Sequence, residues 1–384
     1  MPFVYADNNA TTRVDPEVLE AMLPFLVERW GNPSSVHSFG SEVGRAVEES
    51  RESVAAMLGA GRPSEIVFTS GGTESNNTAI RSALASRRGR RRVVTTRVEH
   101  PAVLTVARHL ESEGYVVDYL SVDGEGGMDL DELRAAMDDD VALVSAMAAN
   151  NETGVLFPVE ELGRIAHEHD ALFHTDAVQA AGKSPVDLSS GTIDLLSISG
   201  HKIHAPKGVG ALFVRRGRRF RPLLLGGHQE RGRRGGTENV PGIVALGRAA
   251  ELAVRHADDE RTRVRALRDR LEQGLLRISH SRRNGHAEHR LPGTANVSFK
   301  NVEGEAILLM LDQQGISASS GSACTAGNLE PSHVLHAMGV PFDYAHGSVR
   351  FSLGRFNTEQ DVDLILEALP PIIERLREIS PFTT

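Results

Sequence analysis

Apolar residues in this chain gather in short runs separated by longer amphipathic stretches. "EIVFTS" (65–70), "RRVVTTR" (91–97), "YVVDYL" (115–120), "VALVSAM" (141–147), "ALFHTDA" (171–177), "DLLSIS" (194–199) and "GALFVR" (210–215) read as seven buried strands. The stretches between them carry helix signals. Pro101 stands at the first position of a helix, and Gly114 closes it after "VLTVARHLESE". Strand and helix in alternation predict right-handed βαβ units around a mainly parallel sheet. Near residue 255 the pattern changes. "RHADDERTRVRALRDRLEQGLLRIS" predicts one long, charge-rich helix bridging two domains. A strand at "TANVSFK" (294–300), a helix at "GEAILLMLDQQG" (304–315) and a last helix from Thr358 to Ile379 then predict a smaller α+β domain. No internal repeat or low-complexity segment interrupts this order.

Length supports two domains, since 384 residues exceed what one core usually reaches. A formal net charge of −9 argues against a dedicated nucleic-acid binder. Two arginine runs, "RRGRRR" (87–92) and "RRGRRFR" (215–221), oppose that trend locally and are expected to be solvated loops or strand ends. No apolar run is long enough to span a bilayer, and "MPFVYADNNATT" lacks the features of a signal peptide. With one cysteine, no internal disulfide or cysteine-cluster zinc site can form. A cytoplasmic location is the expectation.

Lysine usage changes the picture most. Of 42 basic Lys and Arg residues only four are lysine, and two of these lie in "SISGHKIHAPKG" (197–208). Arginine stays protonated, whereas a lysine of depressed pKa can attack a carbonyl. Lys202 follows a strand, and Asp176 ends the strand before it. "TSGGTESNN" (69–77) offers a glycine turn and a helix N-terminus, which together attract an anion. Each feature also has a plainer reading: Asp176 and Lys202 as a buried ion pair, Thr73 as a helix cap. Pyridoxal phosphate unites them, because it brings a carbonyl for Lys202, a phosphate for the turn and a ring nitrogen for Asp176. Lys207, before a Gly-x-Gly turn, looks structural, and Lys183 and Lys300 lack comparable surroundings.

"DNNATTRVDPEV", "GNPSSVHSFG", "FTSGGTESNN", "EHPAV", "NNETG", "HTDAVQAAGK", "SGHKIHAPKG", "GGHQERGRRGGTENV", "SSGSACTAGNLEPSHV" and "SVRFSLGRF" run in order from residue 5 to the end. Together they resemble the cysteine desulfurases of the NifS/IscS group, fold-type I pyridoxal-phosphate enzymes related to class V aminotransferases. The resemblance implies an α/β fold in which residues 13–256 form a large cofactor-binding domain with a mainly parallel seven-stranded sheet. Residues 1–12 and 257–384 would form the smaller α+β domain. Lys202 would hold the cofactor as an imine, Asp176 would pair with its ring nitrogen, and His100 would stack on the ring and assist proton transfer. Read from the residues alone, His100 is a helix cap rather than a ring contact. Gln179 would meet the ring hydroxyl, and Gly72, Thr73, Ser199 and His201 would hold the phosphate. Thr237 would reach the phosphate of a neighbouring subunit, which implies a homodimer. Asn151 and Arg350 would grip the substrate carboxylate.

A lone cysteine such as Cys324 is ordinarily a packing residue, but "SASSGSACTAGN" offers it nothing bulky to pack against. The resemblance makes Cys324 the nucleophile that takes sulfur from L-cysteine, leaving alanine and a persulfide. The persulfide would pass to an iron–sulfur scaffold or another acceptor, and any cluster held by Cys324 would be transient and shared. Ala6, where leucine is usual in the family, is a small departure in packing. The ending "REISPFTT" lacks the long tail of the housekeeping branch and looks closer to the nitrogen-fixation branch. Three alternatives remain at this stage: a class V aminotransferase, a sulfur donor for tRNA or DNA thiolation, and a non-catalytic sulfur carrier.

Overall fold

The computed structural model describes residues 3–320 and 332–380. Among the described residues there are twelve strands: β1 (Val4–Tyr5), β2 (Ile66–Thr69), β3 (Arg92–Thr96), β4 (Val116–Leu120), β5 (Val141–Ser145), β6 (Leu172–Asp176), β7 (Leu195–Ser199), β8 (Gly210–Val214), β9 (Ser281–Arg283), β10 (Thr294–Phe299), β11 (Ile316–Ser317) and β12 (Ser348–Ser352). Each of the seven runs is a strand, and these seven form one sheet in the order β2-β8-β7-β6-β5-β3-β4; β4, expected to be buried, is an edge strand with Val116 exposed and only Leu120 buried, because one of its sides has no neighbouring strand. Only β8 runs against its neighbours, so β2 and β7 on either side of it point the same way.

The sheet is covered on both faces, as period-two alternation in continuous apolar strands requires. Ile66, Phe68, Leu196, Ile198, Ala211 and Phe213 face a core shared with the helices Ser38–Leu58, Val159–Glu168 and Val240–Arg255. Val67, Leu195, Leu212 and Val214 face the opposite core, built on the helices Gly72–Ser86 and Pro101–Ser112. A separate core joins Val4 and Ala6 to residues 264–373, around the antiparallel sheet β12-β10-β9 and the parallel pair β1–β11.

The structure redraws the long bridging helix. A helix Val240–Arg255 ends first, the short turn Ala257–Asp259 follows, and a wide π-type turn (Glu260–Val264) precedes the helix Arg265–Leu275. The wide turn resets the helical register. Val264, Leu267, Leu271 and Leu275 thereby enter the third core, while Glu260 is buried near Lys183. Charge-rich periodicity shows the same pattern on either side of such a turn, so it cannot show the turn itself.

The final helix, Glu359–Ile379, has Thr358 as its cap, with Thr358 and Asp361 each accepting the other's backbone amide. Both arginine runs lie outside strands except at Arg92, and they converge: Arg87, Arg88, Arg90, Arg219 and Arg221 line one cleft. Arg87 and Arg90 bind Asp170.

Candidate active site

The carboxyl ends of β2, β3, β5, β6 and β7 open on one cavity of about 410 Å³. Parallel strands end together, and the loops that follow carry polar groups away from the core. From these ends come Gly72 and Thr73, His100, Asn151, Asp176 and Gln179, and Ser199, His201 and Lys202. Arg350 reaches the same cavity from β12, and Asn9 and Ala10 reach it from the N-terminal segment.

Lys202 ends a 3-10 turn, Gly200–Lys202, that follows β7 directly. Its Nζ donates to the carbonyls of Asn9 at 2.5 Å and Ala10 at 2.7 Å. The Asn9 carbonyl also accepts from Gln179 Nε2 at 2.9 Å, which leaves Gln179 Oε1 buried without a partner. Asp176, buried at the end of β6, accepts from Asn76 Nδ2 at 2.6 Å and from the Val178 amide at 3.0 Å. Both partners are neutral donors, so lone pairs remain on this carboxylate for a cationic N–H of a bound ring.

The anion end is built by close backbone approach. Gly71 adopts φ +150° and ψ −174°, a conformation open to glycine alone, and no side chain caps the helix Gly72–Ser86 that follows. A Cβ on Gly210 would lie 2.7 Å from Gly71 Cα, so the first residue of β8 must also be glycine for the turn to seat. Gly72 and Thr73, which begin this uncapped helix, line the cavity beside Ser199 and His201. His201 is held neutral: burial and neighbouring lysines push it down to about 4.

His100 caps the helix Pro101–Ser112, its Nδ1 accepting the Ala102 amide at 3.1 Å. Cap and cavity residue are therefore one geometry. A backbone amide can only donate, so the neutral ring carries its proton on Nε2. Burial keeps the ring below its ordinary value, against the pull of Asp176.

The preceding residue, Glu99, is fully buried, and its Oε1 accepts from Thr96 Oγ1 and the Met147 amide while Oε2 has no partner. Burial pushes this carboxyl up to about 8. Its folded value lies above the unfolded 4.5, so its stabilising contribution is full below that value and is lost as pH rises toward 8. Glu99→Gln should therefore gain in urea midpoint on the parent between about pH 5 and 8, then run parallel to it. A constant difference across that range would mean that Glu99 is ionised throughout.

Arg350 is almost fully buried, with Nη1 donating to the Asn151 carbonyl at 3.0 Å and Nη2 to Asp7 Oδ1 at 2.7 Å. Its Nε is buried and lacks a partner. Asn9 Nδ2 meets the same Asn151 carbonyl at 3.2 Å and Thr294 Oγ1 at 2.9 Å. The guanidinium is thus fixed before any carboxylate arrives.

Of the residues singled out in the sequence, ten share this cavity. Thr237 does not line it and is exposed on the segment before the helix Val240–Arg255. Cys324 lies outside the described residues. Sequence reasoning missed Asn9, Ala10 and Asn76. Asn76 follows Thr73 by one helical turn, a spacing that puts both on one face, and that signal was readable. Asn9 and Ala10 carried no such signal. Among the described residues no cluster of three or more metal-ligating side chains occurs, and no helix is long and apolar enough to cross a membrane.

Residues 4–365 match the family described as Aminotransferase class-V. A protein of Trichormus azollae named cysteine desulfurase is 60% identical over 383 residues, covering 100% of this chain and 96% of its own length. The cysteine desulfurase NifS of Azotobacter vinelandii is 57% identical over 383 residues, covering 100% of this chain and 95% of its own. Among solved structures, a NifS-like protein is similar at a TM-score of 0.92 and 42% identity, over 98% of this chain and 100% of that one.

Proposed function

Because the chain belongs to the aminotransferase class-V family, we propose that it works as a pyridoxal-phosphate-dependent cysteine desulfurase, taking sulfur from L-cysteine and releasing L-alanine. One observation carries this reading. A lysine, a buried carboxylate with lone pairs to spare, an uncapped helix N-terminus and a pre-set arginine all border a single cavity. The donor set fits the cofactor end to end: the helix terminus with Thr73, Ser199 and His201 for its phosphate, Asp176 for its ring nitrogen, and the orphaned Gln179 for its ring hydroxyl.

Bound there, pyridoxal phosphate supplies a carbonyl for capturing an amino acid and a ring that makes the α-proton acidic. The protein supplies the rest. Arg350, with Asn151 beside it, orients the substrate carboxylate through the guanidinium N–H groups still open, Nε among them. His100 would lie over the bound ring, with its Nε2–H as a donor. The ring can act as a base only after Nδ1 gives up the Ala102 amide, so Lys202 Nζ is the group that removes and returns protons at carbon. The Cys324 thiolate attacks the substrate sulfur. An S–S bond forms, the C–S bond breaks with its electron pair left on carbon, and protonation there yields alanine. No external oxidant or reductant is consumed.

The persulfide passes to an acceptor, with iron–sulfur cluster assembly the purpose that fits best. Residues 13–256 act as the cofactor domain, and 1–12 with 257–384 act as the smaller domain, the core around Val4, Ala6 and residues 264–373 supporting that division. Two chains pair, Thr237 of each serving the phosphate of the other, and the protein works in the cytoplasm. Cysteine and cofactor supplied together should give alanine and sulfide in equal amounts when a reductant is present. Keto-acid-dependent amino transfer without sulfide would overturn the reading. Arg350→Lys loses the planar fork and should raise KM for cysteine about tenfold or more, with kcat changed less; an unchanged KM would remove Arg350 from the carboxylate site.

A further inference from the structure

The buried residues that border the substrate arginine contain a contact that the mechanism above does not use. Glu152 is the residue after Asn151, deep in the turn that holds Arg350, and its side chain is buried. A carboxylate in such a place is costly unless something compensates it. Its partner is Ser332, whose hydroxyl donates to Glu152 Oε2. Ser332 is itself buried and is the cap of the helix His333–Ala337, with its Oγ accepting the Val334 and Leu335 amides at 3.1 and 3.3 Å. One hydroxyl thus caps a helix and binds a carboxylate. The next residue, His333, faces the Glu99 carbonyl from Nε2 at 3.0 Å, and a carbonyl can only accept, so His333 donates. Glu99 is the neighbour of His100. The start of this helix is therefore tied at two points to the turns that supply Asn151 and His100.

The other flank of the Cys324 stretch is tied as well. Ser319 and Arg350 exchange backbone hydrogen bonds, Ser319 N to Arg350 O at 3.2 Å and Arg350 N to Ser319 O at 2.7 Å. Cys324 comes five residues after Ser319 and eight before Ser332. At full extension those lengths reach about 17 Å and about 27 Å, so the two ties bound where the thiol can go. Both bounds are set by residues in direct contact with Arg350 or its supporting turn.

We infer that Glu152 and Ser332 are positioning residues for sulfur transfer: their hydrogen bond registers the chain carrying Cys324 against the turn that fixes the substrate carboxylate. The inference rests on Cys324 being the sulfur acceptor. A plain capping role for Ser332 would not need Glu152 at all, and the two roles separate in a double-mutant cycle. Ser332→Gly removes the hydroxyl while glycine remains a tolerated helix cap. Ser332→Thr keeps the hydroxyl. Glu152→Leu keeps most of the bulk and removes the acceptor.

The experiment is a single turnover of the cofactor-loaded enzyme with cysteine. Two quantities are followed: the early colour change on substrate binding, and the mass of the peptide containing Cys324 as it gains sulfur. Ser332→Gly and Glu152→Leu should each leave the colour change intact and slow the gain of sulfur about tenfold, less than the roughly 10²-fold cost of a full 1 Å misplacement. The double variant should be no slower than the slower single, and Ser332→Thr should recover most of the rate. Sulfur gain within twofold of the parent in Ser332→Gly, or effects of the two singles that multiply, would overturn the inference. If the parent itself gains no sulfur at Cys324, the desulfurase reading fails instead, so the two failures are told apart.

Discussion

Lys202→Ala should yield a folded protein that turns cysteine over at least about 10⁴-fold more slowly, because nucleophile and proton carrier are lost together. Lys202→Arg should be no better, since a guanidinium neither condenses with a carbonyl nor gives up its proton. The comparison that matters is with Lys183. Burial pushes the Lys183 amine down to about 8, so by pKa alone it is a credible nucleophile. Its surroundings differ, however. It borders a separate small cavity with His204, His256, Glu260 and Arg355, which has neither the Asp176 carboxylate nor the uncapped helix end. Lys202 borders both cavities. Borohydride reduction of the coloured protein, followed by peptide mapping, should place the pyridoxyl group on Lys202. A label on Lys183, or a Lys202→Ala variant that keeps its turnover, would break the assignment.

Cys324→Ser should separate the two halves of the reaction. The cavity residues are untouched, so cofactor colour and the colour change on adding cysteine should persist. Release of alanine and sulfide should fall on the order of 10³-fold or more, because a hydroxyl at neutral pH is a far poorer nucleophile than a thiolate. Full release of alanine and sulfide in this variant would remove Cys324 from the mechanism. The pair of variants is informative together: one loses colour and turnover, the other turnover alone.

Much of this was legible in the chain. Most of the seven strands stood out because they are covered on both faces and so read as apolar runs, while β4, at the sheet edge, is buried only at Leu120. The site residues stood out because they follow those runs, where polar side chains end a buried strand: Asp176 after "ALFHT", Lys202 after "SISGH", Gly72 and Thr73 after "EIVFTS". The reversed direction of β8 was not legible, since a buried strand has the same composition in either direction. Its antiparallel course brings Gly210 against Gly71 and so helps to shape the anion turn.

The rest was settled only by tertiary contact. That the Asn9 and Ala10 carbonyls hold Lys202, that Asn76 supports Asp176, and that Ser332 reaches Glu152 are facts about residues 100 to 193 positions apart. Hydrophobic period and turn chemistry are local signals, strong enough to write strands, helix ends and a lysine of unusual context into the sequence. Which backbone carbonyl or buried carboxylate meets which donor depends on how separated segments pack, and burial then makes each unsatisfied group costly enough to fix that choice.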